Sequence, residues 1–318
     1  MLVFIMSEIN VLYTFDNNFW HMAAVSIVSL MENRHPDTHI NVYCMVAPHT
    51  HGRRKIKKII GTGGTLIWRQ IPNRKNPYTG VDYSRWSPVI FYRLFAHDVF
   101  PDVDKMLYLD SDTLINDDLT QLYNTDVSQY AFGAVRDMAL INTPKHPAGE
   151  YVKEFKQKYL KHDLYINSGV LVLNMTYLRT IPGPWKTNST LKYPDQDILN
   201  IVFDGKILEL PLRYNTVSNG IYDKKFPLSE RNYIKKKIYI EHFYAACKPY
   251  YYHPFNRETY AKFSHTARKI GLYPEDFLRQ DIERQKKRIK KAKKDYSTNI
   301  PFLRFDRRGR LRLFGIRV

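Results

Sequence analysis

Short apolar runs alternate with stretches of helical spacing over most of the chain. "NVLYTF" (10–15) predicts a strand and the segment from Phe19 to Glu32 a helix. "HINVYCMVA" (39–47) predicts the next strand, "GRRKIKKII" (52–60) a basic helix and "TLIWRQI" (65–71) a third strand, with "RHPDT" and "GTGG" as the turns between them. "KMLYLDSD" (105–112) predicts a strand running straight into acids, "SGVLVLNM" (168–175) a buried strand and "DQDILNIVF" (195–203) the start of a helix. This alternation predicts an α/β fold with a mostly parallel sheet and helices on both faces. Ligands of such sheets sit beyond the carboxyl ends of the strands, so acids at a strand's end mark the expected site.

Composition narrows the class. The 318 residues are 44% hydrophobic, which suits a soluble globular protein with a sizeable core. Cys44 and Cys247 lie far apart with no C-x-x-C pair, which argues against a disulfide scaffold and a structural zinc site. The start "MLVFIMSEINVLYTF" has no basic n-region, and no apolar stretch approaches a membrane span, so a cytoplasmic location is expected. The charge is uneven. Fourteen Lys/Arg against two acids put +12 of the net +18 into residues 284–318. The expected organisation is therefore a body, 1–283, and a basic tail, 284–318.

The chemistry centres on Asp110-Ser111-Asp112. On an extended segment, side chains two apart point the same way, so both carboxylates can converge on one cation. Hard oxygen ligands suit magnesium or manganese. A second element, "KIYIEHF", delivers His242, and an imidazole in the set tilts the preference toward manganese. Lys248, six residues on, can meet a phosphate oxygen as a point charge. "GTGGT" lacks the Lys-Ser/Thr of a phosphate loop and precedes a strand, which makes it a turn. His49 and His51 match no metal-site spacing and read as a solvated loop.

"VLYTFDNNF", "KMLYLDSDTLI", "INSGVLVLN", "YPDQDILN", "YNTV" and "EHFYAACKPY" occur in an order and spacing that resembles glycosyltransferase family 8, over about residues 9–255. Within it, the likeness is greatest to bacterial lipooligosaccharide α-galactosyltransferases and lipopolysaccharide glycosyltransferases. The resemblance implies a GT-A fold, a UDP-sugar donor and retention of anomeric configuration. It also implies roles by position. Asp16 and Asn18 correspond to uracil and ribose contacts, and Asp110, Asp112 and His242 to manganese ligands, with Ser111 between the acids. Arg93 corresponds to an arginine near the donor sugar, and Asp137 to a residue lining the sugar pocket. Asn167 and Asp195 correspond to groups that hold sugar hydroxyls. Gln196 matches the residue on the β-face of the anomeric carbon, and Lys248 the diphosphate lysine. The family's G-x-x-K-P-W is here Ala245-Ala246-Cys247-Lys248-Pro249-Tyr250, which puts a methyl beside the phosphate path at Ala245.

The expected reaction is transfer of galactose or glucose from UDP-galactose or UDP-glucose to a lipopolysaccharide-type or lipid-linked glycan. Attack on the same face as the leaving group is favoured, because Gln196 is neutral; a covalent intermediate through Asp195 or Asp197 is the alternative. Two other classes share part of this pattern: a metal-dependent nucleotidyl- or phosphotransferase, and a basic nucleic-acid-binding protein. The modest charge of the body argues against the second, and no nucleic acid is expected as partner. In the tail, "RQKKRIKKAKK" (284–294) predicts a basic helix, and "IPFLRFDRRGRLRLFGIRV" interleaves apolar and basic residues as a hairpin or an interfacial segment. Both fit docking on an anionic membrane surface, the inner face of the cytoplasmic membrane. Residues from about Pro211 to Arg231 are expected on the acceptor side.

Overall fold

The computed structural model describes residues 7–72, 87–137, 147–181, 183–185, 191–217, 237–243, 248–250, 257–294, 303–305, 311–313 and 316–317. Chain contacts divide it into two units, Met1–Gly271 and Leu272–Val318.

The first unit is built on a seven-stranded sheet. Its strands are β1 (Ser7–Phe15), β2 (Thr38–Val46), β3 (Gly64–Gln70), β4 (Lys105–Leu109), β6 (Phe132–Arg136), β7 (Ile166–Asn174) and β8 (Ile207–Leu210), in the order β3-β2-β1-β4-β7-β6-β8. β1, β2, β3 and β4 run parallel, as do β6 and β8, and β7 is antiparallel to both its neighbours. The expected mostly parallel α/β sheet is observed. β7 is buried from Ile166 to Leu173 without alternation, because a central strand covered on both faces has no side turned to water. Three further strands, β5 (Thr113–Ile115), β9 (Thr216–Val217) and β10 (Ile240–His242), form a small sheet in the order β5-β10-β9.

Helices span Trp20–Asn33, Arg53–Ile60, Pro147–Tyr159, Pro194–Val202 and Arg257–Lys269, and a 3₁₀ helix spans Pro88–Phe95. The helix of Arg53–Ile60 buries Ile56 and Ile60 and starts at Gly52, whose φ of 92° a side chain rarely adopts. A Cβ there would also lie 2.4 Å from the Trp20 ring. The GTGG segment is the expected turn: it joins that helix to β3, and a Cβ on Gly64 would lie 2.2 Å from the Ile40 carbonyl oxygen.

Two boundaries differ from expectation. β4 ends at Leu109, so Asp110, Ser111 and Asp112 form the turn between β4 and β5 and do not continue an extended strand. The acids converge through this turn, not through the pleat. At the other end, the helix Pro274–Lys294 runs across the expected 283/284 boundary. Composition changes there but backbone hydrogen bonding continues, since lysine and arginine are good helix formers.

The second unit contains that helix and three short antiparallel strands, β11 (Leu303–Phe305), β12 (Leu311–Leu313) and β13 (Ile316–Arg317). Leu303 pairs with Leu313, Arg304 with Arg312 and Phe305 with Leu311, which is the backbone pairing of a hairpin. The expected turn, Asp306–Gly309, lies outside the described residues, as do Ala245, Ala246, Cys247 and residues 218–231 of the expected acceptor side. No helix among the described residues is long and apolar enough to cross a membrane.

Candidate active site

The parallel pairing of β1 with β4, Leu12 opposite Tyr108, brings the segments after both strands to one edge of the sheet. Asp16 follows β1 and the turn Asp110–Asp112 follows β4. Ser111 Oγ donates to the Thr14 carbonyl at 3.3 Å, which ties the two segments together. This turns Ser111 toward the backbone of β1. Asp16 accepts from the Asn18 backbone N–H at 2.8 Å, from Asn18 Nδ2 at 3.3 Å and from Ser87 Oγ at 2.9 Å. Asp16 and Asn18 thus form one exposed loop corner.

β10 pairs antiparallel with β5, setting His242 opposite Thr113 and hence beside the turn. His242 Nε2 lies 3.5 Å from Asp110 Oδ2 and 3.3 Å from Asp112 Oδ1. One ligand atom from each of the three residues falls within 4.8 Å of the others, as one cation would require. His242 Nδ1 lies 2.9 Å from Asn215 Oδ1. An amide carbonyl only accepts, so Nδ1 carries the proton and Nε2 is aimed at the acids. Gly169 lies against this group: a Cβ there would lie 2.1 Å from His242 Cε1 and 2.9 Å from Asp110 Oδ2. The donor set and the room left by Gly169 fit a divalent cation with mixed oxygen and nitrogen ligands.

Charge holds the acids ionised. Burial raises both carboxyls, but for Asp110 the guanidinium of Arg93 and the bond from His242 outweigh it, and its pKa is lowered. For Asp112, Lys248 and His242 do the same, more strongly. Burial works against charge on His242 also, yet its bonds to Asp110 and Asp112 push its pKa up to about 9. A proton on Nε2 therefore occupies the place a cation would take. Lys248 is ion-paired with Asp112, and its ammonium lies 5.4 Å from the centre of the Phe19 ring.

Arg93 joins these acids to a second group. Its Nη2 lies 2.9 Å from Asp110 Oδ1 and its Nε 3.5 Å from Asp195 Oδ2, while Nη1 donates to the Ser168 carbonyl at 2.8 Å. The guanidinium also sits 4.3 Å from the centre of the Tyr108 ring, whose hydroxyl donates to Asp110 Oδ1 at 2.6 Å. Asp195 accepts from Ser168 Oγ at 3.2 Å, and burial raises its pKa against the pull of Arg93.

One directed run of hydrogen bonds continues from His242. Asn215 Nδ2 donates to Asn167 Oδ1 at 2.8 Å, and Asn167 Nδ2 to Asp137 Oδ2 at 3.1 Å. From the other side Gln196 Nε2 donates to the same Asp137 oxygen at 3.1 Å and to the Tyr165 hydroxyl at 3.2 Å. Gln196 Oε1 accepts from the Ser168 backbone N–H at 3.1 Å. Arg93, Asp110, Asp112, Asp137, Asn167, Asp195, Gln196, His242 and Lys248, singled out from the sequence, are therefore one connected group.

Asp197 differs from its neighbours. It is fully buried, with both oxygens engaged by tyrosine hydroxyls and a backbone N–H, and burial raises its pKa to about 6 despite those bonds. Sequence reasoning passed over Asn215, Gly169, Tyr108 and Tyr165. Asn215 stands in the noted "YNTV" and Gly169 in "INSGVLVLN", but neither string says what its neighbour in space is.

The family model described as Glycosyl transferase family 8 matches residues 10–253. A lipopolysaccharide 1,2-glucosyltransferase of Escherichia coli K12 is 28% identical over 263 residues, 76% of this chain and 73% of that protein. A putative glycosyltransferase of Haemophilus influenzae is 27% identical over 281 residues, 82% and 76% of the two chains. Among solved structures, the galactosyltransferase LgtC in complex with donor and acceptor sugar analogues shares the fold. Its TM-score is 0.68 at 23% identity, over 85% of this chain and 99% of that one. With the family model spanning most of its length and these relatives beside it, the chain belongs to glycosyltransferase family 8.

Proposed function

We propose that the protein transfers a hexose, galactose or glucose, from a UDP-sugar to a lipopolysaccharide-type glycan with retention at the anomeric carbon. The observation that carries this reading is the convergence of Asp110, Asp112 and His242, with Lys248 on Asp112, beside the Gln196 and Asn167 amides that meet on the Asp137 carboxylate. A divalent cation held by Asp110, Asp112 and His242, manganese by the mixed oxygen and nitrogen donors, would neutralise charge growing on the diphosphate.

Lys248 has a mobile point charge that can leave Asp112 for a phosphate oxygen, adding to that stabilisation. Asp16 and Asn18, at the loop corner after β1, suit the uridine. Asp137, Asn167 and Asp195 offer acceptors and donors for sugar hydroxyls, while Arg93 holds Asp110 and Asp195 in one orientation. Gln196 carries a neutral amide, a poor nucleophile, which favours same-face attack in which the leaving phosphate takes the acceptor hydroxyl's proton. The occupied oxygens of Asp197 count against a covalent bond there. Ala245, three residues before Lys248 in the sequence, is proposed as a further donor-binding residue from that place alone.

The test is hydrolysis and transfer with UDP-galactose and UDP-glucose, in manganese, in magnesium and in excess EDTA. Turnover of one donor, lost in EDTA and highest in manganese, is expected; NMR should show an α-linked product from an α-linked donor. Full activity in EDTA or a β-linked product overturns the corresponding part. The basic tail, 284–318, is proposed to hold the enzyme on the anionic inner face of the cytoplasmic membrane, each engaged Lys or Arg adding about 1 kcal/mol. Replacing Lys286, Lys287, Lys290 and Lys291 by Gln should then release the protein from anionic vesicles at low salt; unchanged sedimentation rejects the anchor.

A further inference from the structure

Asp197 lies one residue from Gln196 in sequence but reaches it only through Tyr165. Its Oδ1 accepts from the Tyr165 hydroxyl at 2.7 Å. Its Oδ2 accepts from the Tyr151 hydroxyl at 2.6 Å and from the Tyr193 backbone N–H at 3.0 Å. A tyrosine hydroxyl has one proton. Because Tyr165 gives that proton to Asp197, it shows Gln196 Nε2 only lone pairs, and accepts from it at 3.2 Å. The other N–H of Gln196 goes to Asp137, and its carbonyl takes the Ser168 N–H. Every hydrogen-bonding end of the amide is used. A Tyr165 turned to donate toward Gln196 would set O–H against N–H.

We propose that Asp197 is a positioning residue that, by taking the Tyr165 proton, fixes the orientation of the Gln196 amide beside the donor sugar. This rests on the reading of Gln196 given above. Both Asp197 oxygens are taken by protein donors, so it acts through the buried Tyr165 hydroxyl.

The arrangement requires Asp197 ionised. The groups around it are Tyr151 from the helix Pro147–Tyr159, Tyr165 from the segment before β7, and Asp195 from its own helix. Asp137 lies across Gln196, and the Lys192 ammonium sits 4.8 Å from the centre of the Tyr151 ring. Burial outweighs the hydrogen bonds and brings its pKa up to about 6. A protonated Asp197 must donate to one of its two tyrosines, because the Tyr193 N–H cannot accept. Where Tyr165 receives that proton, its own turns toward Gln196 and the order is lost.

The experiment compares kcat and the donor KM of the full-length enzyme with Tyr165→Phe, Tyr151→Phe, Asp197→Asn and Gln196→Ala from pH 5 to 8. Tyr165→Phe removes the acceptor of one Gln196 N–H and should lower kcat about tenfold with KM within twofold, as for one lost buried hydrogen bond. It should also flatten the fall in kcat below about pH 6. Tyr151→Phe removes an equivalent bond on the far oxygen and should leave kcat within twofold. Asp197→Asn keeps the volume but places an N–H₂ against a hydroxyl, so kcat should be low and flat with pH; this variant carries the question if Tyr165→Phe does not fold. Equal kcat losses in the two tyrosine variants, or a wild-type profile in Tyr165→Phe or Asp197→Asn, overturn the proposal. Full activity in Gln196→Ala removes the reading of Gln196 itself. An impaired Gln196→Ala beside an unimpaired Tyr165→Phe removes only the positioning role.

Discussion

The cluster of Asp110, Asp112 and His242 and the group of Asp137, Asn167, Gln196 and Asp197 are joined by hydrogen bonds, yet they balance charge in opposite ways. Around the first, Arg93, Lys248 and His242 overcome burial and keep the carboxylates ionised. Around Asp197 the partners are neutral hydroxyls and an amide N–H, burial wins, and the pKa rises. Ion pairs preserve charge where a cation can replace a proton. Neutral donors orient the Gln196 amide without adding charge, which suits the proposed reaction, where that amide would lie beside a carbon that becomes electron-poor. Arg93, bonded to Asp110 and Asp195, is where the two regimes meet.

The difference can be broken most severely at Asp110. Asp110→Ala should lower kcat by on the order of 10²-fold or more and abolish any rise in melting temperature on adding manganese. A variant that keeps either property removes Asp110 from the metal role. Gly169→Ala should act next most strongly. Its methyl would fall 2.1 Å from His242 Cε1 and 2.9 Å from Asp110 Oδ2, within van der Waals overlap, so the arrangement of these ligands must change. Manganese affinity, titrated by calorimetry, should fall about tenfold or more; wild-type affinity would mean that Gly169 does not shape the cluster.

The smallest effect separates the two regimes by pH. The folded pKa of His242, about 9, lies above the ordinary value near 6.5. Its contribution to stability is therefore complete below about pH 6.5 and is lost as pH rises through 9. In EDTA the melting temperature should drop by on the order of 5 °C across that window. In manganese the fall should be reduced, since the cation takes the proton's place. Parallel curves with and without manganese would show that no cation binds at His242.

Much of this was legible in the chain itself. Periodicity located β1, β2, β3, β7 and the helices Trp20–Asn33, Arg53–Ile60 and Pro194–Val202 to within a few residues, because burial on one face or both imposes a repeat that side chains must obey. Residue type and spacing also marked Asp110, Asp112, His242 and Lys248 as candidates, since few side chains can hold a hard cation or meet a phosphate. Tertiary structure alone decided how they meet. The acids converge in a turn after Leu109, and His242 arrives across the β5–β10 pairing, 130 positions after Asp112 in the numbering. Asn215 orients that imidazole, Gly169 leaves room for it, and Tyr165 stands between Gln196 and Asp197. These are relations between distant segments with no period or spacing in the chain. The direction of each hydrogen bond depends on which donor the fold places opposite which acceptor, and that is fixed only when the strands pair.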